Sequence, residues 1–349
     1  MTSIRFGRGE VRNFSRAFEF PPGRGFLVSS RTVLALHGNS LLESGSFRPV
    51  VEIEIDDREE AKSLDTLRGV LDSALAAAAR RDDFVVAFGG GVVTDLAGFA
   101  AAILLRGIEW YAIPTTLLGM ADAAIGGKTA IDHPAGKNLI GSFHPPAGVV
   151  VDPDFLDTLE PRQFRSGLVE VYKAVLVGDA ETARRMSGRL ESIAGERAVG
   201  DFLAAAVRVK QEITARDLRD AGDRRHLNFG HTLGHALEAQ GRFRRLTHGE
   251  AVAIGMAAAF LLSAGLAGFP RAEAERLAAE LVTFAGAEAV SGIDPEDPVL
   301  WAAFSRDKKF TSRGPLAVLL ARAGDPCLRE VSTSEWKGAL LRVLASPAL

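Results

Sequence analysis

The residues with the greatest capacity for chemistry lie between Arg224 and His248, in the stretch RRHLNFGHTLGHALEAQGRFRRLTH, which holds four of the seven histidines. On a helix, His231 and His235 stand at i and i+4, so both imidazoles leave one face. His248 follows a loop rich in Arg and Gly, and Gly249-Glu250 leads into another helix. Two imidazoles from neighbouring helices plus one carboxylate would make a three-ligand zinc site with an open position. Catalysis needs that position, because substrate oxygens must reach the metal. The plain alternative is a chance cluster of surface or core histidines, since i,i+4 pairs also arise without a metal.

A carboxylate of the right kind stands upstream. Glu170 and Lys173 in GLVEVYK are spaced i,i+3. A surface ion pair accounts for that spacing. Yet Glu170 sits among Leu168, Val169 and Val171, where a lone carboxylate is costly unless it meets a metal or a cation.

Lysine is scarce: of 41 basic residues only Lys62, Lys128, Lys137, Lys173, Lys210, Lys308, Lys309 and Lys337 are lysine. Arginine serves the general surface charge, which leaves lysine for places that want a compact, protonatable ammonium. Codon bias is the competing explanation. Lys128 after Gly126-Gly127, and Lys137-Asn138 after Gly136, suit a phosphate or carboxylate oxyanion. GGKT resembles the tail of a P-loop, but that pattern wants glycine at 122 and the chain has Asp122; an ATPase is excluded.

The elements that must position these groups follow from the apolar runs. Gly25 to Ser29, Val50 to Ile55, Phe84 to Phe88, Ile108 to Pro114 and Val149 to Pro153 read as strands of a parallel sheet. Residues 1 to 25 read as irregular or as a short edge strand. A helix opens at Asp57-Arg58-Glu59-Glu60-Ala61-Lys62 and runs to about Arg81, its acidic first turn matching the helix dipole. Phe84–Phe88 runs straight into Gly89-Gly90-Gly91, then an Ala/Gly-rich helix, the layout of a phosphate-binding turn. A tight turn packed under a helix would look the same. Thr115-Thr116 closes the next strand, where hydroxyls can meet a cofactor or phosphate. From Pro161 the text is nearly all helix, apart from a short strand Pro315 to Leu320.

With 349 residues, two domains are expected, divided at 153/154. A net charge of −3 gives no electrostatic case for nucleic acid. The single Cys327 excludes an intrachain disulfide and suits a reducing cytoplasm. No uninterrupted apolar run reaches membrane-spanning length, and a cytoplasmic protein is expected.

Taken together, the segments resemble the 3-dehydroquinate synthase family of sugar phosphate cyclases. The matching text is Glu59-x-x-Lys62, GGGVVTDLAGFAA, RG at Arg106, PTTLL, D-x-x-x-GGKTAID, GKNLIG, SGLVEVYK, LNFGHTLGHALE, HGEAVAIGM and DKK, in that order. The resemblance implies an α/β Rossmann-like NAD domain, an all-α metal domain and an active site between them. It implies zinc, with cobalt as an alternative, on Glu170, His231 and His248. His235 then becomes a catalytic or phosphate-contacting residue instead of a ligand. Asp122, Lys128, Asn138, Lys173, Lys210, Arg224, Asn228 and one of Lys308 or Lys309 would surround the substrate. Arg106 would come from a neighbouring subunit, hence a homodimer. Glu59, Lys62, Gly90, Gly91, Asp95, Thr115, Thr116 and Lys137 would contact NAD.

The implied reaction converts 3-deoxy-arabino-heptulosonate 7-phosphate to 3-dehydroquinate. Transient oxidation by NAD acidifies a C–H, phosphate is eliminated, the hydride returns, and an intramolecular aldol closes the ring. A sister cyclase of the valiolone or scyllo-inosose type, or a metal-dependent polyol dehydrogenase, would share much of this text. Asn228 and His235 favour dehydroquinate, and the cluster Lys128, Asn138, Lys210 and Arg224 speaks against a dehydrogenase. Several positions depart from the common family text: Ser29-Ser30 stands where an acid often holds the ribose, Thr94 where a glycine is usual, Arg58 for glycine and Asp132 for asparagine. The serines put cofactor choice in question.

Overall fold

A computed structural model of the chain describes residues 2–42, 47–134, 136–305, 310–311 and 314–345. Two compact units emerge: residues 1–160 with Lys210–Arg219, and 161–209 with 220–349. The first of these units runs on past the last strand to residue 160, and the end of one helix, from Lys210, belongs to it as well.

The first unit is built on β1 (Ser3–Phe6), β2 (Gly25–Ser30), β3 (Val51–Ile55), β4 (Phe84–Gly89), β5 (Glu109–Pro114) and β8 (Gly148–Val151). All pair in parallel, in the order β1-β8-β5-β4-β2-β3. Hydrophobicity sorts the strands across that sheet. GFLVSS and FVVAFG are buried at every position and lie inside. VEIEI alternates and occupies an edge, as a parallel sheet covered on both faces requires. The N-terminal segment forms edge strand β1, the second of its two expected readings, and a short helical piece, α1 (Phe14–Ala17). Phe14 and Phe20 pack at 5.0 Å, and Phe20 against Tyr111 at 4.6 Å, sealing one end of the sheet.

The helix expected from Asp57 starts later. Residues Glu59–Ala61 form a single tight turn, and Ser63 caps α3 (Leu64–Ala76) by accepting the Thr66 N–H at 3.2 Å. The cap resets the backbone and leaves Glu59 and Lys62 on a turn, not on a helix face. Helix α2 (Arg31–Leu41) is capped in the same way by Ser30, and α4 (Gly91–Ile103) follows the glycine turn directly. Residues 128–143, which carry no strong apolar signal, form an antiparallel hairpin of β6 (Lys128–His133) and β7 (Gly136–Phe143).

One buried charge ties the starts of β2 and β4 together. Asp83, 1 % exposed, accepts the Arg24 N–H at 2.7 Å, Arg24 Nη2 at 2.9 Å and the Arg80 N–H at 2.9 Å. Burial alone would raise its pKa, but the hydrogen bonds from Arg24 and Arg80 prevail and hold the carboxyl below the usual aspartate value of 3.8. A depressed folded pKa contributes stability above pH 3.8 that is lost as pH falls through it. Asp83→Asn is therefore expected to lose about 1–3 kcal/mol at pH 7. The gap to wild type, read by urea unfolding, should close in strong acid.

The second unit is helical: α5 (Pro161–Gly178), α6 (Ala180–Met186), α7 (Leu190–Glu196), α8 (Gly200–Arg216, shared with the first unit from Lys210), α9 (His231–Gln240), α10 (His248–Leu266) and further helices towards the C-terminus. It is not purely α. The expected strand near Pro315 belongs to a small antiparallel sheet of β9 (Phe310–Thr311), β10 (Gly314–Arg322) and β11 (Asp325–Glu330). Leu320 donates its N–H to Ser263 Oγ at 3.0 Å, fixing β10 on α10. By length and mean hydropathy of 1.7, α10 is apolar enough to cross a membrane, although Glu250 and Ser263 interrupt its apolar run. Here 78 % of that window is buried inside the unit, which makes it the core helix.

Candidate metal centre and cofactor site

Three helices of the second unit bring the ligand candidates together, and close backbone contacts let them approach. Gly249 lies against α5: a Cβ there would stand 2.2 Å from the Ser166 carbonyl oxygen, while the Gly249 N–H donates to Ser166 Oγ at 2.9 Å. Gly230 enters α9 at φ +80°, and a Cβ on it would meet the Met256 nitrogen of α10 at 2.7 Å. Only glycine satisfies both the left-handed backbone and the crossing. His231 and His248 are consequently the first residues of two helices whose starts converge beside α5. A capping box between Thr247 and Glu250 fixes the start of α10, and Arg162 of α5 grips Glu250 at 2.7 and 2.9 Å.

At the convergence, Glu170, His231 and His248 offer ligand atoms that all lie within 4.8 Å of one another. Glu170 is 1 % exposed. Its Oε2 accepts from Lys173 Nζ, while Oε1 faces His231 Nε2 at 3.7 Å and His248 Nε2 at 3.5 Å. The pair with Lys173 is buried, not the surface bridge its spacing alone suggests. Burial would lower the His248 pKa, yet the Glu238 and Glu170 carboxylates outweigh it and push it up to about 10. One carboxylate and two imidazoles, with their ligand atoms gathered at one point, fit zinc or cobalt.

His235 lies beside the three but is not one of the grouped ligand candidates. It is exposed, its ring 5.2 Å from His231 and 6.2 Å from His248. Arg224 is buried and Asn228 half-buried on the turn Asp223–Asn228, the Asn228 amide donating to the Arg225 carbonyl at 3.0 Å. Lys308 and Lys309 lie outside the described residues.

In the first unit the candidate cofactor residues gather at the C-terminal ends of the central strands. The order β5-β4-β2-β3 puts a reversal of strand order between β2 and β4, the usual place for a dinucleotide. Gly90 and Gly91 join β4 to α4, and the Gly90 cap has no side chain over the first N–H groups. A Cβ on Gly90 would come within 3.1 Å of Thr116. Thr116 accepts the Gly119 N–H, and the Thr115 N–H donates to the Gly89 carbonyl, both at 3.0 Å. Open N–H donors beside a bare glycine backbone fit a pyrophosphate.

Next to that turn lies a buried polar network. Lys62, 4 % exposed, donates to Asp95 at 2.8 Å and to Asn138 Oδ1, with Glu59 at 3.8 Å. Burial would lower its pKa, but Asp95 and Glu59 raise it above the ordinary lysine value. Lys137 faces Glu59 at 3.3 Å. Asn138 takes a left-handed φ of +55°, held there because Asp132 accepts its N–H at 2.8 Å. Elsewhere in the unit, Lys210 pairs with Asp122, which sits on a wide π-type turn, Gly119–Ala123. Lys128 is exposed at the start of β6. Arg106 is exposed too, on a turn where Leu105 and Arg106 have φ of 51° and 72°.

The departures find local roles. Ser29 Oγ donates to the Phe88 carbonyl at 2.7 Å and Ser30 Oγ to Asp57 at 3.2 Å. The end of β2 therefore has an acid after all, delivered from just beyond β3, and nothing in the residue spacing marks Asp57 for that place. Thr94 Oγ1 donates to Gly91 O within its own helix, at 3.1 Å. Arg58 is exposed and pairs with Asp56.

A parallel α/β unit with a glycine turn at its switch point, and a helical unit with a Glu-His-His cluster, define a two-unit class of protein with a candidate dinucleotide turn and a candidate metal centre. Residues 52–166 match the family model described as 3-dehydroquinate synthase N-terminal, and 167–310 its C-terminal counterpart. A 3-dehydroquinate synthase of Bradyrhizobium sp. is 41 % identical over 334 residues, 92 % of this chain and 87 % of the relative. One from Thermosynechococcus vestitus is 44 % identical over 76 % of this chain and 73 % of its own. A solved 2-epi-5-epi-valiolone synthase from Streptomyces hygroscopicus subsp. jinggangensis, with NAD+ and Zn2+ bound, has a TM-score of 0.86 at 30 % identity, covering 99 % of this chain and 97 % of that one. The chain belongs to the 3-dehydroquinate synthase family.

Proposed function

We propose that this chain is a sugar phosphate cyclase that makes 3-dehydroquinate and phosphate from 3-deoxy-arabino-heptulosonate 7-phosphate, as a cytoplasmic homodimer. The observation that carries the reading is the convergence of Glu170, His231 and His248 on one point inside the helical unit. Those residues would hold zinc, or cobalt, which supplies Lewis acidity at the substrate's neighbouring oxygens. Glu59, Lys62, Gly90, Gly91, Asp95, Thr115, Thr116 and Lys137 would hold NAD, a reversible hydride acceptor.

The chain's other groups then bind and orient. Lys173 keeps one Glu170 oxygen occupied and leaves the other turned towards the imidazoles. Lys128, Lys210, Arg224 and one of Lys308 or Lys309 would neutralise the phosphate and carboxylate of a doubly anionic substrate, with Asn138 and Asn228 adding neutral hydrogen bonds. Asp122 holds the Lys210 ammonium in place, and His235 stands beside the ligands as a group able to move a proton. Arg106, on its exposed turn, would serve the partner subunit.

The likeness to a valiolone synthase supports a second reading, a sister cyclase acting on another sugar phosphate, but the dehydroquinate synthases are more similar in sequence. Incubation with candidate sugar phosphates, catalytic NAD and zinc separates the readings. Phosphate release with dehydroquinate, identified by mass spectrometry and NMR, is expected. A different carbocycle would favour the sister enzyme. Accumulating NADH without phosphate would mean a dehydrogenase.

A further inference from the structure

Both imidazoles of the cluster carry an acceptor behind them. His231 Nδ1 lies 3.3 Å from the Phe229 carbonyl oxygen, while its Nε2 faces Glu170. For His248 the group behind the ring is a side chain: its Nδ1 lies 3.4 Å from Glu238 Oε2. Glu238 is 4 % exposed and sits on α9 seven residues after His231, hence on the same helix face. A second carboxylate sunk this deep beside Glu170 costs free energy in an apolar unit unless it serves a partner.

From this geometry we infer that Glu238 is a positioning residue for the metal: it accepts the Nδ1–H of His248, selects that tautomer and turns the Nε2 lone pair towards Glu170 and His231. The inference rests on the metal reading above. Helix α9 then supplies a ligand at its first residue and, two turns later, the group that orients the ligand of α10. An imidazole held in this way needs no reorientation when the ion arrives, and the carboxylate behind it makes the ring a stronger donor.

The test uses the full chain and zinc alone. Affinity is measured by competition against a chromophoric chelator for the wild type, Glu238→Ala and Glu238→Gln, with circular dichroism and apo melting curves as controls. Alanine should weaken zinc binding by about 10–100-fold. Glutamine keeps an oxygen at the same reach and should restore most of the loss. Wild-type affinity in Glu238→Ala, or a loss that glutamine fails to repair, would overturn the assignment. Should the variants not fold, nitrogen NMR of the zinc-loaded wild type decides: His248 must show a protonated Nδ1 and a metal-bound Nε2, and the reverse pattern refutes the role. A wild type that takes up no zinc defeats the metal reading itself, a separate failure.

Discussion

Glu170→Gln is expected to lose zinc and to lower turnover by about 10³-fold or more, because a metal contributes several kcal/mol of charge stabilisation and each 1.36 kcal/mol is tenfold in rate. The amide keeps the shape of the carboxylate, so the change acts through charge. Two effects follow from the two oxygens. Oε1, turned to His231 and His248, loses its anionic character as a ligand. Oε2 no longer neutralises Lys173, whose side chain is 2 % exposed. Breaking a buried pair by removing one partner typically costs about 3–5 kcal/mol, a large share of a protein's ~5–15 kcal/mol. Instability could therefore imitate a ligand effect. Glu170→Gln/Lys173→Met separates them, since taking both charges out restores much of the stability but cannot restore the ligand. Metal content after dialysis, with unfolding midpoints, reads the two apart. A double variant that folds well and retains zinc as tightly as wild type would show that Glu170 is not a ligand.

What the chain disclosed before its structure was known tracks what burial demands of sequence. The inner strands announce themselves because both faces are covered: FVVAFG has no polar position to spare. The hairpin 128–143 stayed silent for the opposite reason, since most of β7 is exposed and its residues answer to the site and the solvent, not to a core. The histidine stretch was legible as metal chemistry, but spacing alone favoured His231 with His235 on one helix. What pairs His231 with His248 is the crossing of two helix starts through Gly230, and a contact between distant glycines has no local signature. Glu238 and Asp57 were missed similarly. Each looks like an ordinary acid in sequence, and each acquires meaning from a partner another element carries to it. The Ser63 cap could have been read, because a serine before an apolar run is a start signal; the acidic turn ahead of it drew the helix start too early.

The Lys62 network should respond as sharply as the metal centre, by a different route. Lys62→Met keeps the aliphatic stem and removes the ammonium. Asp95 then faces no cation from Lys62, Asn138 loses the donor to its Oδ1, and the turn that carries Glu59 loses its tie to the hairpin. Two terms oppose each other: losing a 4 % exposed ammonium relieves its desolvation, while Asp95, itself only 17 % exposed, keeps its own. The second wins when one partner remains, so the single variant should lose about 3–5 kcal/mol in urea unfolding at pH 7. Adding Asp95→Asn should recover a good part of that, a coupling that a double-mutant cycle measures directly. NAD affinity behaves differently. If the network exists to shape the cofactor site, titration of the refolded double variant should still show binding weakened by about tenfold or more, since neither the ammonium nor the carboxylate is there to meet the dinucleotide. Stability recovered together with wild-type affinity for NAD would leave Lys62 and Asp95 as a structural pair and move the cofactor contact elsewhere along the glycine turn.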